Sequence, residues 1–187
     1  MHFERGFLYH VFNRGNNNEK IFFNNANYRL FVDKIDYHIL PFADILAWCL
    51  MPNHFHLMIH INRESIFDIT INQSIGKMLS SYARAINIQE NRTGSLFQQH
   101  SKAICLNGNI KLKPAWFKRM GATIITSGNE KFDYPKVCFN YIHLNPVHAG
   151  IVFNIEDWRW SSYHEIHGNE TNIELVNKEK LKSVVPL

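Results

Sequence analysis

The run from Ile45 to Ile61, ILAWCLMPNHFHLMIHI, constrains the fold more than any other stretch of the chain. Two apolar segments flank Pro52-Asn53, a pair suited to a tight turn, so the halves are expected to fold back on each other as an antiparallel hairpin. Ile45 to Met51 reads as a buried strand. In the second half Phe55, Leu57, Ile59 and Ile61 point one way and His54, His56, Met58 and His60 the other, because side chains alternate along a strand. The expectation is that the first face is core and the second carries chemistry.

Residues two apart on a strand have Cα atoms roughly 6.5 Å apart and parallel side chains. The imidazoles of His54 and His56 can therefore converge on one cation at about 2.0–2.2 Å, provided a third ligand arrives from elsewhere. By itself a His-x-His pair is equally compatible with two ordinary histidines on the solvent side of a sheet.

The rest of the chain supplies the surrounding elements. Phe7 to Asn13 alternates as a strand that ends at Arg14-Gly15 and an Asn-rich turn. Leu30, Phe31, Ile35 and Ile39 recur at helical spacing, predicting a helix from about Ala26 to Leu40 with Asn24 or Asn25 as its cap. A second helix is expected over Ile69 to Ile88, with Tyr82 in its apolar stripe, broken by Arg92-Thr93-Gly94. Gly94 to Leu106 reads as extended, and about 107–133 as an irregular insertion broken by Gly108, Pro114, Gly121 and Gly128. A last helix is expected from about Tyr134 to Asn145, since Pro135 suits a first turn and Pro146 disfavours helical geometry in the residue before it. Beyond it lies a C-terminal tail at about 167–187. Strands mixed with helices in this order imply one α+β domain over 1–187, with helices packed on a central antiparallel sheet.

Tyr141 and Asn145 are four apart and share a helical face, with Cβ atoms roughly 5–6 Å from each other. A cation held by His54, His56 and the Asn145 carboxamide oxygen would have the Tyr141 hydroxyl beside it, a nucleophile next to a Lewis acid. His60 lies on the same strand face but too far along, and His143 points off the Tyr141 face. Tyr82, also on a helix after the histidine strand, is assigned to packing.

The segments NRGNNNEKIFF, WCLMPNHFHLMI, RTGSLFQ, NYIHLNPVHAGIV and WRWSSYHEI, in this order from about Phe7 to Ile166, resemble the motifs of the REP-associated tyrosine transposases, a branch of the single-tyrosine HUH endonucleases related to insertion-sequence transposases. The resemblance implies a ferredoxin-like HUH fold and assigns His54 and His56 to the metal, Tyr141 to the nucleophile and Asn145 to the completion of the metal site. It implies Mg2+ or Mn2+ as cofactor, single-stranded DNA with hairpin-forming palindromic repeats as substrate, and cleavage and rejoining through a 5′-phosphotyrosine without ATP. Phe97 stands where the family commonly has tryptophan and His100 where it commonly has arginine, which bears on substrate affinity and repeat choice.

Composition agrees with a folded protein of this kind without selecting it. Hydrophobic residues make up 45% of 187, and the net charge is +4. Arg14, Arg92 and Lys102 are candidate phosphate contacts, and Trp158, Trp160 and Tyr163 either stack on bases or pack. Cys49, Cys105 and Cys138 fit neither a disulfide framework nor a Cys-x-x-Cys site and are expected as buried thiols. No apolar run approaches bilayer length and no secretory signal opens the sequence, so a cytoplasmic protein is expected; the resemblance implies either a monomer or a homodimer. Two other functions fit part of the pattern: a catalytically silent DNA-hairpin binder, and a hydrolase in which the His-x-His metal activates water.

Overall fold

The computed structural model describes residues 1–107, 117–119, 122–124, 133–168 and 171–185. In chain order the strands are β1 (Leu8–Arg14), β2 (Ala43–Met51), β3 (His54–Ile61), β4 (Ser65–Ile66), β5 (Ile69–Thr70), β6 (Lys102–Cys105), β7 (Phe117–Arg119) and β8 (Ala122–Ile124). The α-helices are α1 (Asn25–His38), α2 (Ile71–Gln89), α3 (Tyr134–His148), α4 (Tyr163–His167) and α5 (Lys178–Val184). Four strands form the central sheet in the order β2-β3-β1-β6, antiparallel throughout, while β4 pairs with β5 and β7 with β8. With α1 between β1 and β2 and α2 between β3 and β6, this is the βαββαβ ferredoxin-like arrangement. The expected irregular insertion falls largely outside the described residues.

Both faces of the sheet are covered. On one, Phe55, Leu57, Ile59 and Ile61 of β3 join Phe31 and Ile35 of α1 and Ile75, Met78 and Tyr82 of α2. On the other, Leu8, Leu46 and Met58 meet Cys138, Phe139 and Ile142 of α3 and Leu181 of α5. The face expected to carry only chemistry is therefore a second core, and α3 crosses it. Alternation locates the two faces of a strand but is silent about whether another layer covers the polar one. The three cysteines are buried and free. Among the described residues, no helix is long and apolar enough to cross a membrane.

Helix boundaries follow side-chain caps. The Asn24 carboxamide accepts from the Asn27 backbone N–H at 3.1 Å, and the Asn27 side chain accepts in return from the Asn24 N–H, a capping box built from two asparagines. Thr70 and Gln73 close the same device on α2, and the Asp133 carboxylate accepts from the Lys136 N–H to start α3.

Helix α3 does not stop at Asn145 but runs through Pro146 to His148. Proline forfeits its own N–H, yet the stop is set downstream. Gly150 takes φ +67°, its N–H donates to the Val147 carbonyl at 2.9 Å, and the Ile151 N–H donates to Pro146 at 3.0 Å, a Schellman closure. The C-terminal segment also packs: the Asn177 N–H donates to the Ile45 carbonyl and α5 seats Leu181 in the second core.

The turn after β1 is held against the start of β3. The Gly15 N–H donates to the Asn53 carbonyl at 2.7 Å, and a Cβ at Gly15 would collide with the Glu19 backbone carbonyl, so only glycine fits here. This contact fixes the chain immediately before His54.

Candidate functional site

His54 opens β3 opposite Arg14, and His56 lies opposite Phe12. Helix α3 brings Tyr141 and Asn145 over them, so the four residues singled out by spacing are side by side.

Hydrogen bonding determines which ring nitrogen of His54 carries its proton. The Asn53 amide nitrogen donates to the Asn18 carbonyl at 3.2 Å, which turns the Asn53 carboxamide oxygen toward His54 Nδ1 at 2.6 Å. That oxygen only accepts, so Nδ1 donates and Nε2 keeps its lone pair. Asn145 is oriented in the same way: its amide nitrogen donates to the Tyr141 carbonyl at 3.1 Å, and its oxygen faces His54 Nε2 at 3.4 Å. Two lone pairs thus face each other across a gap that no proton of the neutral ring bridges.

His56 adds a third. Its Nε2 is buried with no hydrogen-bond partner among the described residues, while Nδ1 lies 2.8 Å from Nε2 of His10 on β1. Desolvation lowers the pKa of His54 to about 4, with the Asn145 carboxamide oxygen, which would accept from the protonated ring, opposing it and Arg14 adding to it. Burial, then the neighbouring His10, His54 and Arg14, drive that of His56 well below the usual histidine value. Both rings are neutral at pH 7 and available as ligands. Donors each about 2.1 Å from one cation stand roughly 3–3.5 Å apart, the separation found between His54 Nε2 and Asn145 Oδ1. The His54 and Asn145 donors are therefore spaced to share one divalent cation, with the His56 ring beside them. Among the described residues no three His, Cys, Asp or Glu side chains form a metal cluster; a cation held at His54 and His56 would draw on the Asn145 carboxamide oxygen as well.

Tyr141 is half-buried and sets its ring edge-on to His56, with centroids 5.4 Å apart, and to His10, at 6.0 Å. It lines a pocket of about 360 Å³ together with His54, His56, Arg14, His100 and Lys102. Arg14 and Lys102 are exposed at this mouth, the Arg14 guanidinium donating to Asn18 and the Lys102 ammonium lying 5.9 Å from the Phe12 ring centroid. The concentration of positive charge beside neutral ligands suits a polyanion.

The other residues singled out in the sequence lie elsewhere. Arg92 does not line this pocket: its guanidinium is 2.6 Å from the Glu19 carboxylate. His60 is 3.6 Å from Asp44 toward the far end of β3. His143 donates from Nδ1 to the Phe139 carbonyl and accepts at Nε2 from the Ser162 hydroxyl, a buried structural bridge. Trp160 stacks on Tyr28 and is buried, and Trp158 donates its indole N–H to the Leu50 carbonyl. Tyr82 is fully buried and donates to the Ile21 carbonyl at 2.7 Å. Tyr82→Phe is expected to destabilise the fold by about 1–3 kcal/mol, because it leaves a buried carbonyl unpaired. Urea unfolding measures this. His10 belongs to the site although no motif marks it; its only signal in the sequence is its position on the Leu8-His10-Phe12 face of β1, the face that pairs beside His56.

No family model matches the sequence, and no curated protein matches it. Among solved structures, that of a REP-associated tyrosine transposase bound to a REP hairpin matches with a TM-score of 0.60 at 16% identity, over 95% of this chain and 90% of that one. A Deinococcus radiodurans chain described as a candidate transposase matches with a TM-score of 0.39 at 14% identity, over 56% of this chain and 85% of that one. The first likeness establishes a common fold over nearly the whole chain.

Proposed function

We propose that the chain is a REP-associated tyrosine transposase: an HUH single-tyrosine enzyme of the cytoplasm that nicks and rejoins single-stranded DNA at hairpin-forming repeats. The observation that carries this reading is the meeting of His54, His56 and Asn145 beside the Tyr141 ring, with His54 Nε2 3.4 Å from the Asn145 carboxamide oxygen and His56 Nε2 buried without a partner among the described residues. The fold shared with a transposase bound to a REP hairpin supports it.

In this mechanism Arg14 and Lys102 hold the DNA backbone by its phosphates, contacts that position the strand without reading its sequence. The Tyr141 oxygen attacks the scissile phosphorus, the bond to the 3′ oxygen breaks, and the DNA 5′ end remains joined to Tyr141 while a 3′-hydroxyl departs. The phenolic proton balances the departing alkoxide. Tyrosine has an ordinary pKa of about 10, so its attack at neutral pH needs help at the phosphate. Mg2+ or Mn2+ held by His54, His56 and Asn145 would supply a Lewis acid that draws charge from a phosphate oxygen. The ligand set is neutral and leaves the whole charge of the ion for that purpose. Rejoining is the reverse attack by a 3′-hydroxyl, and the phosphotyrosine conserves the bond energy.

The test is denaturing electrophoresis after incubating the purified protein with Mn2+ and a labelled library of single-stranded hairpins. A labelled band that stays with the protein under denaturing conditions is the expected result. Tight hairpin binding with no such band across the library would replace this reading with that of a silent hairpin binder.

A further inference from the structure

His10 is buried beneath the site and belongs to none of the groups that would touch DNA or cation. Its ring stacks on that of His56 with centroids 5.0 Å apart and planes 28° apart, and its Nε2 lies 2.8 Å from His56 Nδ1. We propose that His10 is a positioning residue: by accepting a hydrogen bond from His56 Nδ1, it holds His56 in the tautomer whose Nε2 lone pair is presented beside Tyr141. This rests on the reading of the site as metal-dependent.

Two neutral imidazoles have one N–H each, so a contact at this distance needs one donor and one acceptor. If His10 donated, the His56 proton would sit on Nε2. An N–H would then be buried where no acceptor meets it among the described residues, and His56 would be lost as a ligand. If His56 donates, its Nε2 is bare and becomes satisfied when a cation arrives. Both rings are almost wholly buried, at 7% and 5% exposure, so neither tautomer of His56 can be rescued by turning to solvent.

Ligating histidines ordinarily pass their second N–H to a carboxylate, a backbone carbonyl or water. Here the acceptor is another neutral ring, which orients His56 without adding negative charge to the site. The strand register accounts for the contact: Phe12 faces His56 across β1 and β3, and His10 lies one diagonal step along on the same face.

The experiment pairs two readouts on wild type, His10→Phe and His10→Gln. Long-range proton–nitrogen correlation spectra of 15N-labelled, metal-free protein report the His56 tautomer, and paramagnetic resonance follows Mn2+ titration. Wild type is expected to show His56 protonated at Nδ1. His10→Phe keeps an aromatic ring but no acceptor, and should lose that preference and bind Mn2+ about 10–100-fold more weakly. His10→Gln, whose carbonyl accepts, should restore both toward wild type and controls for folding. A wild-type His56 protonated at Nε2, or a His10→Phe protein with unchanged tautomer and Mn2+ affinity, overturns the proposal. A His56 tautomer governed by His10 in a wild-type protein that binds no Mn2+ supports the positioning role and overturns the metal-dependent reading.

Discussion

Tyr141→Phe protein is expected to form no protein-linked DNA at all while still binding hairpins and Mn2+. The substitution removes one oxygen and leaves the ring that packs edge-on against His56 and His10, so the ligand side chains keep their support. Tyr82, Tyr9 and Tyr28 are not placed to take over. The Tyr82 hydroxyl is buried against the Ile21 carbonyl, and the Tyr9 hydroxyl accepts from the Glu4 backbone N–H. Burial also raises the pKa of Tyr28 to about 12 and pushes that of Tyr82 beyond the usual range. Denaturing gels that follow the labelled strand measure the effect. Cleavage that survived in Tyr141→Phe, with the DNA released rather than attached, would assign the chemistry to an activated water and make the chain a hydrolase.

Local periodicity and long-range register carry different information about this site. His54 and His56 are legible in the sequence because a strand repeats every two residues, and Tyr141 and Asn145 because a helix brings positions four apart onto one face. His10 has no such signature: its place beside His56 depends on the register of β1 against β3, set by contacts 46 residues apart in sequence. The same distinction explains Arg92. Its ion pair with Glu19 and its place away from the site pocket depend on how distant segments meet, which residue type alone does not reveal.

The sheet and its helices follow from apolar patterning, but the second core does not. Met58 and His56 alternate on one face of β3, yet Met58 is fully buried under the layer that α3 and α5 supply. That layer matters for the chemistry, since it buries His56 and part of His54 and so keeps both rings neutral at pH 7. At α3 the expectation of a stop at Pro146 misplaces the boundary because Gly150, by adopting a left-handed conformation, ends the helix instead. The extra turn does not move Tyr141 or Asn145, whose face is set upstream.

Acidification from pH 7 toward pH 4 is expected to unfold the protein, and the buried histidines supply the reason. Burial is the main cause holding His10, His54 and His143 at pKa values of about 4 in the fold, against about 6.5 when unfolded. Between those values the unfolded chain binds more protons than the native one, so stability falls as pH falls. The contribution is fully present above about pH 6.5 and is lost progressively toward pH 4, at roughly 3 kcal/mol for each such histidine. His10 and His54 are linked through His56 and do not titrate independently. Even so, His143 and one member of that group together approach the whole stability of an ordinary domain, about 5–15 kcal/mol. Glu165 acts in the opposite direction: burial raises its pKa above 4.5, so its stabilising contribution is complete only below that value and is lost as pH rises through its raised pKa. Urea midpoints measured from pH 8 to pH 5 should be level down to about pH 7 and then drop steeply. A midpoint that stays constant to about pH 5 would mean that these rings are protonated without loss of the fold, and that α3 does not shield them from water.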